Sequence, residues 1–346
     1  MKHNYPVAHK GGIAQQAYEA RTRIQLRGVK RLLLAANVQT DRVKMAVDLG
    51  CRGGDTTLGI LQAIPGIIQV IGIEEVLEAV ILASLKFHTE HKWDNREAVT
   101  RVKAWKDAES GLQEFFNSFT VDSSKFCNRH QCQFDFAHLQ EFTQLPDVFG
   151  GIDLIVGFQI LHWLDAADNG LPKPEIIKAV YDTLASGGVF IGGTSTAFIH
   201  IDQNQRVEGK TRAEFSIDEH PFVKMVYERI KSIVQQITLM VPVPVTAAQP
   251  LKEAELIRLF TDAGFIGVQT GAFLVTPGRE EVTNGVVRLR PEHQGRLEGV
   301  PQEQRTALVE QSIKDANAAC DSMQTDPRLD NQHIYDAVPF LKATKP

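Results

Sequence analysis

Asp48 stands two residues ahead of a run of glycines, in Met45–Thr57, MAVDLGCRGGDTT. A short apolar run meets this acid. Gly50, Gly53 and Gly54 follow, then Asp55-Thr56-Thr57 with a helical pattern behind them. Strand, glycine loop and helix build a nucleotide-sized site in open α/β sheets. Glycine reaches positive φ and lets a ligand approach without a Cβ in the way. The helix behind such a loop points free N–H groups and its positive dipole end at it. The acid selects among ligands. A dinucleotide loop reads G-x-G-x-x-G and holds a pyrophosphate, which a carboxylate at position 48 would repel. A ligand with a cationic end is the better match.

Further candidates follow in order. Gln69–Val76, QVIGIEEV, reads as a second strand ending in acid. Glu74 lies about 20 residues beyond Gly54, the interval at which an acid binds ribose hydroxyls in dinucleotide folds. Glu75 is the alternative if the strand slips by one residue. Asp135 and Phe136 lie in QCQFDFAHLQEF, and Phe158 and His162 in IDLIVGFQILHWLD. LASGGVFIGGT at 184–194 reads as a turn and fifth strand, and residues 253–275 as a late helix, an Ala-Gly-Phe turn and a sixth strand.

Taken in order, these segments resemble class I S-adenosylmethionine-dependent methyltransferases across roughly residues 45 to 280. Residues 48–54 are similar to that family's Asp/Glu-x-Gly-x-Gly-x-Gly loop, with Arg52 where the middle glycine usually stands. The resemblance implies a Rossmann-like, seven-stranded, mostly parallel sheet with helices on both faces and helical insertions forming a lid. It implies S-adenosyl-L-methionine as cofactor. Asp48, Gly50 and Gly54 would hold its amino-acid end and Glu74 its ribose. Asp135 and Phe136 would take the adenine, with Phe158 and Tyr18 alongside.

Methyl transfer from a sulfonium is an in-line displacement, in which alignment contributes ~7–11 kcal/mol where geometry is good. A base is needed only for a protonated nucleophile, and histidine titrates in the right range. His162 follows the presumed fourth strand, and His200 with Asp202 follows the fifth. Both lie on the carboxyl edge where ligands sit in such sheets. His200 pairs with Asp202 as an acid–base candidate, and His220 and Tyr227 lie in the presumed lid. Each also reads as an ordinary packing or solvated residue. Arg52 offers a guanidinium to Asp48, to the cofactor carboxylate or to an acidic substrate, or simply points to solvent.

No metal is expected. Cys127, His130 and Cys132 do not have the spacing of a structural zinc site. Asp165, Asp168 and Asn169 resemble the metal acids of catechol-type methyltransferases, but there the Asp-Asn pair follows a later strand.

The 346 residues support a large core. Hydrophobic content of 43% and charged content of 23% are those of a soluble globular chain. A net charge of −5 lacks the basic footprint of a nucleic-acid binder. No run reaches a membrane span, no apolar leader is seen, and four cysteines fit a reducing cytoplasm. The exit of the fourth strand, Gly157-Phe158-Gln159-Ile160, lacks the Asn/Asp-Pro-Pro-aromatic pattern of amino-methylating nucleic-acid enzymes. The expected partner is therefore a small-molecule acceptor, methylated on oxygen, nitrogen or carbon, with an oligomer possible. A non-catalytic protein on the same fold and a nicotinamide-dependent oxidoreductase are the rival readings.

The expected organisation is an N-terminal helical lid over 1–44 and the cofactor-binding core over 45–195, with a helical insertion at about 90–130. A helical substrate lid follows over 196–250, with Pro221 at a helix start. The core sheet ends over 251–290, with Val286–Arg290 as a candidate last strand, and a C-terminal helical extension covers 291–346.

Overall fold

The computed structural model describes residues 12–74, 80, 83, 87, 132–136, 151–158, 173–193, 207, 209, 217, 220–238, 252–288, 291, 296–322, 334 and 336–346. Its strands are β1 (Met45–Leu49), β2 (Gln69–Glu74), β3 (Cys132–Phe136), β4 (Ile152–Gly157), β5 (Leu184–Gly193), β6 (Ile266–Val275) and β7 (Asp336–Thr344). They form one sheet in the order β3-β2-β1-β4-β5-β7-β6. β3, β2, β1, β4 and β5 run parallel, and β7 is antiparallel to both its neighbours. The helices are α1 (Gly12–Ala35), α2 (Asp55–Ala63), α3 (Lys173–Thr183), α4 (Pro221–Thr238), α5 (Glu253–Asp262) and α6 (Gln302–Ser322).

Strand alternation explains the two layers of helix. Ala46, Val70, Leu154, Val156 and Ile191 face α1 and α2. Val47, Leu49, Ile71, Ile73, Ile155 and Phe190 face α3 and α5, where Ile177, Leu256 and Phe260 pack on them. Burial on both faces produces the near-continuous apolar runs of a parallel sheet. The sequence leads one to expect this mostly parallel α/β architecture with helices on both faces.

α1 lies close against the first layer. A Cβ on Gly59 of α2 would come within 2.9 Å of Val29, so only glycine allows this approach of α1 to α2. α1 then leads through Thr40–Arg42 into β1. It therefore runs from the carboxyl edge of the sheet to its amino edge, in the direction of α2. A separate apolar cluster joins α4 and α6, with Phe222, Val226 and Ile230 packed among Leu308, Ile313 and Ala316. Arg23 and Arg27 of α1 reach Glu281, in the helical turn Arg279–Val282, and tie the two parts together.

The C-terminal third corrects two expectations. Val286–Arg290 is not the last strand. Thr283–Val287 is a π-type turn that continues the helix from Val282. Val287 is buried in the α4–α6 cluster. The Arg288 fork donates to Glu310 of α6 at 2.6 and 2.9 Å, so this segment is pinned to a helix. Residues 291–346 are likewise more than a helical extension. After α6 the chain returns to the sheet as β7, which inserts between β5 and β6. Among the described residues no helix is long and apolar enough to cross a membrane.

Candidate functional site

Alternation along β1 turns Asp48 towards the α1–α2 face, where it is fully buried. The Thr57 hydroxyl in the first turn of α2 donates to its Oδ2 at 2.6 Å. Its Oδ1 has no hydrogen-bond partner among the described residues. Burial, opposed by the Thr57 hydrogen bond and helped by the nearby Glu74 and Asp55 carboxylates, raises Asp48 to about 8. Asp55 and Glu74 are themselves 3% and 6% exposed, so three acids are drawn in around one loop. Asp55, in the first turn of α2, meets the helix dipole favourably.

The loop is held by its backbone. Gly50 and Cys51 donate to the Ile73 carbonyl at 2.8 and 3.1 Å, and Gly54 to the Cys51 carbonyl at 2.9 Å. Gly50 and Gly54 have φ of 71° and 79°. Arg52, in the position expected for a middle glycine, also lies at positive φ, 50°. For a residue with a Cβ this costs ~1–2 kcal/mol. Its N–H donates to Glu74 Oε2 at 2.8 Å, which fastens the loop to the end of β2. The loop thus keeps a glycine-like path through Arg52. A Cβ on Gly54 would lie 2.6 Å from the Phe87 ring and 3.3 Å from Ala83, so packing as well as φ requires glycine there.

Asp48, Gly50, Gly54 and Glu74 are therefore brought together at the carboxyl edge. Asp135 and Phe136 end the neighbouring strand, in register with Ile73 and Glu74. Their side chains lie outside the described residues. Phe158 follows β4 on the Asp48 side of the sheet, two residues beyond Val156, the register partner of Asp48. A Cβ on Gly28 of α1 would meet its ring at 2.6 Å. Tyr18 is placed on α1, but its side chain is outside the described set. His162, His200 and Asp202 lie outside the described residues, as do Cys127 and His130.

Two lid candidates have packing roles. His220 Nδ1 accepts from the Phe222 N–H at 3.3 Å and so caps α4, which begins at Pro221. Tyr227 is 7% exposed in the α4–α6 cluster, with the Arg296 guanidinium 4.3 Å from its ring centre. Thr57 was not singled out from sequence, although a hydroxyl in the first helical turn behind a glycine loop is a usable signal. Gln25 was also missed. It is a polar residue on the apolar stripe of α1 and is 5% exposed. Among the described residues, no group of three or more His, Cys, Asp or Glu forms a metal cluster.

No family model matches the chain, and no curated protein matches it. Solved structures do. The [4+2]-cyclase SpnF is similar at 13% identity and a TM-score of 0.42, over 93% of this chain and 81% of that one. Phosphoethanolamine N-methyltransferase 2 of Haemonchus contortus, solved with phosphomonomethylethanolamine and S-adenosylhomocysteine, is similar at 13% identity and a TM-score of 0.40. That match covers 92% of this chain and 52% of the other. The YcgJ protein of Bacillus subtilis is similar at 14% identity and a TM-score of 0.39, over 91% of this chain and 97% of that one.

Proposed function

We propose that this protein transfers a methyl group from S-adenosylmethionine to a small-molecule acceptor. The observation that carries the reading is Asp48, buried at the carboxyl edge with one oxygen unpartnered among the described residues and its proton held to about 8 by its surroundings. An unpaired buried carboxyl group is costly on its own. A cationic ligand end beside it reverses that cost, because opposite charge favours the ionised form. The donor set fits the ammonium-bearing end of S-adenosylmethionine and fits a pyrophosphate poorly. When bound, that cofactor supplies a methyl group already activated on sulfur.

The residues then take the following roles. Asp48 faces the cationic end, and Gly50 and Gly54 shape the loop that receives it. Glu74 takes the ribose while still holding the Arg52 N–H, and Asp135 and Phe136 take the adenine. Phe158 walls the site between β4 and α1. His162 and His200 are the candidate bases, needed only where the acceptor must lose a proton. Arg52 keeps the loop path intact, which favours a working cofactor site over a repurposed scaffold. Low net charge and the absent nucleic-acid motifs favour a small acceptor.

Calorimetric titration with S-adenosylmethionine and S-adenosylhomocysteine tests the reading. Micromolar affinity for both is expected. No binding at millimolar ligand would overturn it.

A further inference from the structure

Gln25 is the buried polar residue of α1 among the described residues, and its Oε1 has no hydrogen-bond partner among them. The rest of that stripe is Gly28, Val29, Leu32, Leu33 and Ala36, all turned to the sheet and α2. Leucine would fill the position without orphaning an oxygen. Helical geometry says in which direction this side chain leaves α1. Gly28 contacts Phe158 and Val29 contacts Gly59. At 3.6 residues per turn, Gln25 projects between them, about 60° from Gly28 and about 40° from Val29. It therefore faces the gap between α2 and the exit of β4.

The height along the helix is equally informative. Val29 is level with Gly59, and Gln25 lies four residues closer to the carboxyl edge, ~6 Å. This sets it beside the first turn of α2, near the level of Asp55 and ~3 Å beyond that of Thr57. Thr57 is the residue that holds Asp48 from the same face of the sheet. Asp48 Oδ1 and Gln25 Oε1 are thus two buried oxygens without partners among the described residues, carried by β1 and α1 on the same side of the sheet. Both are acceptors, and a primary ammonium offers three N–H donors.

We infer that Gln25 is a cofactor-binding residue whose side-chain oxygen accepts an N–H from the ammonium of the cofactor, making α1 a wall of the binding site. The inference rests on the cofactor reading above. It also gives the Arg23 and Arg27 bridges to Glu281 a purpose: they hold this part of α1 from its outer side.

The test uses S-adenosylhomocysteine and its deamino analogue, in which hydrogen replaces the amino group. Each is titrated into wild type, Gln25→Leu and Gln25→Glu, with thermal melts of all three. Wild type should prefer S-adenosylhomocysteine by tenfold or more. Gln25→Leu should bind it about tenfold more weakly, roughly one charged hydrogen bond, and bind the deamino analogue as wild type does. Gln25→Glu keeps an acceptor and should keep the preference. Gln25→Leu should melt no lower than wild type. Full preference retained in Gln25→Leu, or equal weakening towards both ligands, would overturn the assignment. A lower melting temperature with unchanged affinities would overturn it too, by marking Gln25 as purely structural. If wild type binds neither ligand, the cofactor reading itself fails, and this inference with it.

Discussion

At the carboxyl end of β1, three acids lie buried around one loop, a non-glycine residue holds positive φ, and Asp48 keeps an oxygen unpaired among the described residues. The β5–β7–β6 margin is built differently. Lys345 exchanges backbone hydrogen bonds with Gly187 and Gly188, both at 2.9 Å. Its ammonium donates to the Leu184 carbonyl at 2.6 Å and lies 4.9 Å from the centre of the Tyr181 ring. Phe340 lies over its cross-strand neighbour Gly271 and beside Phe273. Among the described residues this margin contributes none of the buried unpaired side-chain atoms. The loop holds one of the two described non-glycine residues at positive φ, and among the described residues the margin carries none.

Substitutions can break either side of this contrast. The largest effect is expected at the margin. Phe340→Ala should lower unfolding free energy by ~3–5 kcal/mol and leave S-adenosylhomocysteine affinity unchanged, as read by urea unfolding and calorimetry. On the loop side, Gly54→Ala should cost ~2–3 kcal/mol, since it joins positive φ to a clash with Phe87. Here ligand affinity should fall as well.

Asp48→Asn sharpens the contrast through pH. The folded state holds the Asp48 proton to about 8, whereas the unfolded chain releases it near 3.8, as an unperturbed aspartate does. Between these values the folded state binds the extra proton, so stability falls as pH rises, by up to ~1.4 kcal/mol per unit. Ligand affinity moves the other way, because the cation prefers the carboxylate, and should rise towards pH 8 and then level. Asp48→Asn should flatten both profiles and weaken S-adenosylmethionine at least about tenfold, ~1.4 kcal/mol. Denaturant midpoints and titrations from pH 5 to 9 measure both. The smallest effect is expected for Arg52→Gly, which should raise stability by about 1 kcal/mol through relief of positive φ and keep cofactor affinity.

The parts legible in sequence are those written in contiguous residues. β1, the glycine loop and α2 follow one another within a single motif, and β2 to β6 each read as a short apolar run with a turn beside it. β7 was not legible because Pro339 breaks its pattern, and proline argues against a central strand. The structure accommodates it because the β5 ladder starts only at Phe340, so Pro339 is paired with β6 alone. Val286–Arg290 misled for the converse reason: its alternation mimics a strand, while its Arg288–Glu310 pairing depends on a helix far along the chain. Within the site, Asp48 and the glycines announce themselves. The Thr57 hydroxyl, the Arg52–Glu74 bond and the Gln25 oxygen become visible only once the turns bring their elements together.

The placement of β7 also bears on how the chain acquires its fold during synthesis. β6 joins the seven-stranded sheet through β7, yet it is complete at Val275, well before Asp336 opens β7. At ribosomal rates of ~5–20 residues per second, β6 waits for its partner on the order of seconds. Throughout that interval β5 carries an open edge, a surface prone to pairing with other chains. Chaperone dependence and premature aggregation should therefore be governed by this late-closing margin, while the nascent glycine loop and its helices are already able to assemble.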